Sequence, residues 1–250
     1  MPLCRVHRLG LVPYRDAWEL QKRLAADRAA DSIPDTLLLL EHPPIYTLGR
    51  SGHAENLLWN VQELAARGVE VEWVDRGGDI TFHGPGQLVG YPILKLGKPS
   101  GESGRLPSAD YIGYVRCIEE ILMGVLLRFG IVAGQLNGLT GVWIQPDLAS
   151  RCAHCPPGAR LAPSKIAAIG VKVDARGVSQ HGFALNVAPD MSYFDGIIPC
   201  GIGDHGVLSM ADLLDDAPGM EAVMDVVGVE FGRVFERQMV AAGATSDVMR

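Results

Sequence analysis

Arg76-Gly77-Gly78-Asp79-Ile80-Thr81-Phe82-His83-Gly84-Pro85-Gly86-Gln87 is the most unusual stretch of this chain, with four glycines and one proline. Glycine permits positive φ and lets backbone approach a ligand closely. Arg76 is a residue type that anchors phosphate or carboxylate, and His83 can donate, accept or shuttle a proton. The structural alternative is a tight hairpin with a satisfied histidine. The stretch is not a Walker loop, because Gly-Lys-Ser/Thr is missing. Nor is it a dinucleotide fingerprint, because no G-x-G-x-x-G leads into a helix.

The segments on either side read as strands. Before the glycines, residues 69–74 alternate apolar and acidic side chains, as a strand with one wet face would. After them, 87–96 is a second strand and 98–107 a polar loop. Further upstream, Tyr14, Trp18 and Leu24 repeat at helical spacing, predicting a helix over 14–30. Short apolar strands follow at 36–40 and Ile45–Leu48. A helix at Val61–Arg67 stops at Gly68. Downstream, Ile112, Val115, Ile118, Leu122 and Leu126 fall on one face of a helix over 111–129, ended by Gly130. Strands are expected at Leu139–Ile144, 165–173 and 178–187, the last two joined by a hairpin turn at 174–177. Ser209 with Asp212 resembles an N-capping pair. A final helix is expected over 220–242, followed by a loose tail. No internal repeat or linker stands out. One α+β domain spanning 1–250, built on a mixed or antiparallel sheet, is the simplest reading.

Composition narrows the function classes. The chain has 250 residues, 48% hydrophobic, with a formal charge of −7. That balance does not suit general nucleic-acid binding. Arg5, His7, Arg8 and Arg15 interrupt any signal-peptide core, and no run of about 18 apolar residues spans a membrane. Five cysteines, Cys4, Cys117, Cys152, Cys155 and Cys200, form an odd set without a secretion signal. Free thiols in a reducing, cytoplasmic compartment are expected.

The glycine-rich stretch resembles the R-G-G-x-x-T-x-H-x-P-G-Q signature of the lipoyl(octanoyl) transferases, the LipB family. Three further segments match in the family's order. Glu41-His42-Pro43-Pro44-Ile45-Tyr46-Thr47-Leu48-Gly49 is similar to its E-H-P-P-x-Y-T-x-G element, and Lys165-Ile166-Ala167-Ala168-Ile169-Gly170 to its K-I-A-x-x-G element. His181-Gly182-Phe183-Ala184-Leu185-Asn186, then Pro199-Cys200-Gly201-Ile202, resemble its H-G-x-A-L-N and P-C-G-I pair. The match covers about 36–214. It implies the fold of the biotin and lipoate protein ligases: a mixed sheet flanked by helices, with a smaller second sheet. It also implies transfer of an octanoyl group from octanoyl-acyl-carrier protein, through a cysteine thioester, to a lysine on a lipoyl domain. Such domains belong to 2-oxoacid dehydrogenases and the glycine cleavage H protein. No cofactor or metal is implied.

On this resemblance Cys200 is the nucleophile and Lys165 its activator. An ordinary cysteine has a pKa of about 8.5, so a neighbouring ammonium would raise the thiolate fraction. The implied substrate-binding residues are Arg76, Gly77, Gly78, Asp79, Ile80, Thr81, Phe82, His83, Ala168, Ile169, Gly170, Gly182, Phe183 and Ala184. Small residues at 168, 182 and 184 would leave room for a C8 chain. Candidate oxyanion donors are backbone N–H groups around Gly77-Gly78, His83 and Gly170. An acidic carrier protein would meet a basic patch including Arg50, Arg160 or Lys172.

Residues 145–163 depart from the family as a longer loop holding Cys152-Ala153-His154-Cys155. With Cys117 or His181 it could form a zinc site, though two cysteines do not complete tetrahedral ligation. A zinc-loop binding protein without catalysis is therefore one alternative. An ATP-dependent lipoate or biotin ligase on the same fold is the other; it would leave Cys200 idle.

Overall fold

The structure is a computed structural model that describes residues 1–96, 108–150, 155–199 and 205–242. The polar stretch expected at 98–107, residues 151–154, Cys200 and the tail beyond 242 lie outside these described residues. The chain begins with β1 (Leu3–Leu11), α1 (Tyr14–Ala29), β2 (Asp35–Glu41), β3 (Ile45–Leu48), α2 (Val61–Arg67) and β4 (Glu70–Trp73). It continues through β5 (Ile80–His83), β6 (Gln87–Ile93), α3 (Ser108–Arg128), β7 (Gly134–Leu136), β8 (Leu139–Ile144) and α4 (Pro146–Ala149). Then come β9 (Ser164–Val173), β10 (Ser179–Asn186), β11 (Gly206–Val207), α5 (Met210–Leu213), α6 (Met220–Val234) and β12 (Gln238–Ala241).

The large sheet has the order β12-β1-β2-β6-β10-β9-β8-β7, with β11 also paired to β9. β1 runs parallel to both β12 and β2, whereas β2–β6, β6–β10 and β10–β9 are antiparallel. The second sheet, β4-β3-β5, is small. The expected mixed sheet with a smaller companion is therefore present. Leu37, Leu39, Leu88 and Leu185 bury one face of the large sheet under α3 and α6. Leu38, Leu40, Val89 and Ala184 bury the other face with Ala17, Leu20 and Leu24 of α1. Successive strand residues thus alternate between two apolar layers, which is why 37–40 is an unbroken leucine run.

Local chemistry sets several boundaries. Asn60 and Glu63 form a capping box on α2, and Gly68 ends it in the left-handed conformation. Ser209 and Asp212 cap α5 in the same way. The turn at 174–177 closes with Asp174 N–H donating to Val178 O at 2.9 Å.

Three expectations need correction. The helix expected over 220–242 stops at Val234, and Gln238–Ala241 forms an edge strand beside β1. The stop is made by Glu236 at φ +51, with Arg237 N–H donating to Gly232 O at 2.9 Å. Glycine usually occupies that left-handed position, so the sequence carries no stop signal there. β1 and β7 were not expected; Arg5, His7 and Arg8 break up the apolar pattern of β1. β4 shows no dry face, because it lies on the edge of the small sheet, and Val71 and Trp73 are exposed.

Candidate active site

The glycine-rich stretch is two turns around one strand, β5. Period-two alternation splits its residues. Ile80 and Phe82 turn into the small sheet's own core with Tyr46 and Leu48. Asp79, Thr81 and His83 turn the other way and line a cleft against β9 and β10. Ile80 and Phe82 were expected at the substrate; they instead build the wall behind it. The Asp79 carboxylate accepts from the backbone N–H of His53 and Ile80 and from Asn56 Nδ2, at 2.6–3.0 Å. It ties the 53–56 segment to the turn.

Arg76 is buried in the wall of this cleft. Its Nη2 donates to Thr47 O at 2.6 Å and Thr47 Oγ1 at 2.8 Å, and its Nη1 to Gly77 O at 3.0 Å. Gly49 makes room for this arrangement: a Cβ there would lie 2.2 Å from Gly78 O. Gly77 does not line the cleft. Its N–H donates to Val171 O at 3.0 Å, latching the turn to β9. That bond removes Gly77 N–H from the expected oxyanion donors.

The floor is made of small residues in register: Ala168 opposite Ala184, and Gly170 opposite Gly182. Ile169 and Phe183, between them along the strands, also line the cleft while packing into the core under α3 and α6. The Phe183 ring lies over Gly90, where a Cβ would come within 2.1 Å of it. The cleft encloses about 450 Å³ including its open mouth. Tyr14 of α1 and Tyr91 of β6 also line it. The sequence marks Tyr14 only as part of a helix and Tyr91 only as part of a strand; an aromatic at helical spacing looks like ordinary core.

Behind the cleft lies a buried polar cluster whose proton positions follow from its partners. Gln87 Nε2 donates to Phe82 O and to Asn186 Oδ1, so Gln87 Oε1 accepts from His83 Nδ1 at 2.7 Å. Burial holds His83 well below the usual histidine pKa. Neutral His83 therefore keeps an acceptor at Nε2, and its ring has no second N–H to donate. His42 Nδ1 donates to Val12 O at 2.7 Å and its Nε2 accepts from Tyr91 Oη at 2.7 Å. Burial lowers its pKa to about 4. His181 Nε2 donates to Asp75 Oδ1 at 2.8 Å, and its Nδ1 faces Tyr14 Oη at 3.4 Å. His181 sits at φ +55 within β10, its N–H donating to Gln21 Oε1 at 2.7 Å. Both ring nitrogens of His181 thus face partners among the described residues.

Lys165 lines a second cavity together with Thr81, Gln87, Ala168, Ala184, Asn186 and Pro199. Thr81, Ala168 and Ala184 line both cavities, so the cleft continues toward Lys165. A break in register delivers that lysine. Val142 pairs with Ala167, yet Trp143 pairs with Lys165, leaving Ile166 as an extra residue. Ile166 and Ala167 both enter the main core. Without the bulge, alternation from Ala168 would send Lys165 into that core as well. With it, the ammonium sits 4.8 Å over the Trp143 ring, and the residue is 8% exposed.

The proposed nucleophile Cys200 lies outside the described residues, as do Cys152 and His154. Cys155 is buried, with Sγ 3.6 Å from Asp212 O. Among the described residues no group of three His, Cys, Asp or Glu could hold a metal. Of the expected basic patch, Arg50 and Arg160 are exposed, whereas Lys172 is paired with Asp75.

The fold is that of the lipoate protein ligases. A bi-partite lipoate protein ligase from Thermoplasma acidophilum superposes with a TM-score of 0.66 at 16% identity, over 100% of this chain and 91% of that one. A lipoate-protein ligase A bound with ATP gives 0.63 at 14% identity, over 99% of this chain and 92% of that one. The chain belongs to the lipoyl protein ligase A/B catalytic domain family, whose model matches residues 13–232. It is 46% identical over 237 residues to an octanoyltransferase of Chloroflexus aggregans, covering 95% of this chain and 97% of that protein. It is 44% identical over 245 residues to an octanoyltransferase of Acidobacterium capsulatum, covering 96% and 94%.

Proposed function

We propose that this chain is an octanoyltransferase that loads octanoyl groups onto lipoyl-domain lysines, with Cys200 as acyl carrier and Lys165 as its activator. The observation that carries the reading is Lys165 at the end of an apolar cleft, in one cavity with Pro199, the residue preceding Cys200 in the sequence. The acyl donor is octanoyl-acyl-carrier protein. The Cys200 thiolate attacks the thioester carbonyl, and the carrier leaves as a thiolate that takes a proton. A neutral lysine amine of the lipoyl domain then attacks the enzyme thioester. The Cys200 thiolate is regenerated and one proton is released.

The chemistry suits these residues. Thioester exchange is nearly thermoneutral, so the first step needs mainly a thiolate. A desolvated ammonium beside it favours the anion and can pass protons in both half-reactions. Ala168, Gly170, Gly182 and Ala184 offer the acyl chain an apolar floor, each buried methylene being worth about 0.8 kcal/mol.

Intact-mass measurement after incubation with octanoyl-acyl-carrier protein tests the reading. An octanoyl adduct that hydroxylamine removes, and that Cys200→Ser abolishes, is the expected result. Full transfer by Cys200→Ser, or transfer that requires ATP and free octanoate, would refute it.

A further inference from the structure

We infer that Glu119, on the far side of the large sheet from the cleft, is a positioning residue for Lys165. The inference rests on the proposed role of Lys165. Glu119 is fully buried in the middle of α3. Its Oε1 accepts from the backbone N–H of Gly141 at 3.1 Å. Its Oε2 accepts from Gln135 Nε2 at 2.7 Å and Arg116 Nη1 at 2.6 Å. A carboxylate is costly to bury, and this one spends one oxygen on a single backbone amide of β8.

That amide belongs to the residue beside the register break. Gly141 has φ +125, and a Cβ there would lie 2.7 Å from Ala167 O and 3.3 Å from Lys165 Cε. The glycine, the break and the lysine stem therefore touch one another. β8 and β9 could restore regular pairing by absorbing Ile166 into the ladder. That one-residue slip would rotate Lys165 to the α3 face. Glu119 opposes it by holding Gly141 N–H toward α3. The carboxylate touches no reacting atom; it acts through the backbone of Gly141 on the direction of Lys165.

The experiment compares Glu119→Gln, which keeps an acceptor for Gly141, with Glu119→Met, which removes it at similar volume. Two readouts are taken on folded protein, checked by circular dichroism. The first is the pH profile of Cys200 alkylation by iodoacetamide. The second is the acetylation of Lys165 by acetic anhydride, mapped by mass spectrometry. Glu119→Met should move the alkylation profile to that of Lys165→Ala, cutting the rate at pH 7 about tenfold, and should change Lys165 labelling. Its kcat should fall with the donor KM unchanged. Glu119→Gln should stay within about twofold of the parent on every readout. Arg116→Ala, which removes only an Oε2 partner, should lower the melting temperature without moving the profile. If Glu119→Met does not fold, Glu119→Asp, too short to reach Gly141, replaces it. A folded Glu119→Met or Glu119→Asp with parental alkylation and labelling overturns the inference. A Lys165→Ala profile equal to the parent's would instead sink the proposed role of Lys165, and the labelling readout still decides whether Glu119 directs its side chain.

Discussion

Gly77 N–H donates to Val171 O at 3.0 Å, and Gly170, one residue before that carbonyl, has no side chain to hold the two apart. A turn of the small sheet is thereby fastened onto a strand of the large one. A Cβ at Gly170 would stand 3.0 Å from both Arg76 Cδ and Gly77 O. Gly170→Ala should lift the turn, slow acyl-enzyme formation at least about tenfold and cost about 1–2 kcal/mol of stability. Time-resolved intact-mass measurement with urea unfolding checks both; parental acylation would show that the fastening is irrelevant to substrate.

Ala168 and Ala184 face each other on the cleft floor. Ala168→Leu would occupy the space of about two methylenes of substrate, so octanoyl transfer should fall about tenfold relative to butanoyl transfer. Competition between the two acyl donors measures the ratio directly. An unchanged preference would place the acyl chain elsewhere.

Acid should unfold this protein through its buried histidines. His42 is held neutral, with its pKa lowered to about 4 by burial, and His83 and His181 are lowered for the same reason. The unfolded chain takes up these protons near pH 6.5. Stability is therefore complete above about pH 6.5 and lost as pH falls toward 4, by about 3 kcal/mol for His42 alone. Asp75, held low by His181 and Lys172, adds a further loss below the ordinary aspartate pKa. Melting temperatures across pH 4–7 should show this slope, and His42→Gln should flatten it. An identical slope in that variant would rule His42 out.

Asp35 joins distant parts of the chain. Its buried carboxylate accepts from Arg28 Nε at 2.7 Å and from Arg237 Nε at 2.9 Å. Removing the charge leaves two guanidinium groups facing a neutral amide, so Asp35→Asn should cost about 3 kcal/mol in urea unfolding. A loss below about 0.5 kcal/mol would mean the pair is solvent-screened.

The sequence was most informative where period and punctuation agreed. α2, with its capping box and Gly68, and the 174–177 hairpin turn lie where their residues predict. The cleft residues of the ordered motifs also gather: Arg76, Thr81, His83, Ala168, Gly170 and Gly182 line one cavity. What escaped depends on partners far away in the chain. β12 is an edge strand and β1 lies next to it, and their mixed composition makes sense only beside each other. Glu236 takes a backbone conformation that its side chain does not advertise. The bulge at Ile166 is invisible in Lys165-Ile166-Ala167, because an extra strand residue exists only relative to β8. Tyr14 and Tyr91 read as core because they are core, and the cleft simply ends against them.

The pairing of Leu3 with Gln238 has a bearing on how the protein is made. A nascent chain leaves the ribosome N-terminus first, so β1 and β2 emerge long before the strand that covers their outer side. For most of synthesis, β1 presents unpaired amides and carbonyls to the cell. Its arginines and histidine then serve a purpose that the finished fold hides, since charged side chains discourage strand-to-strand association between neighbouring unfinished chains.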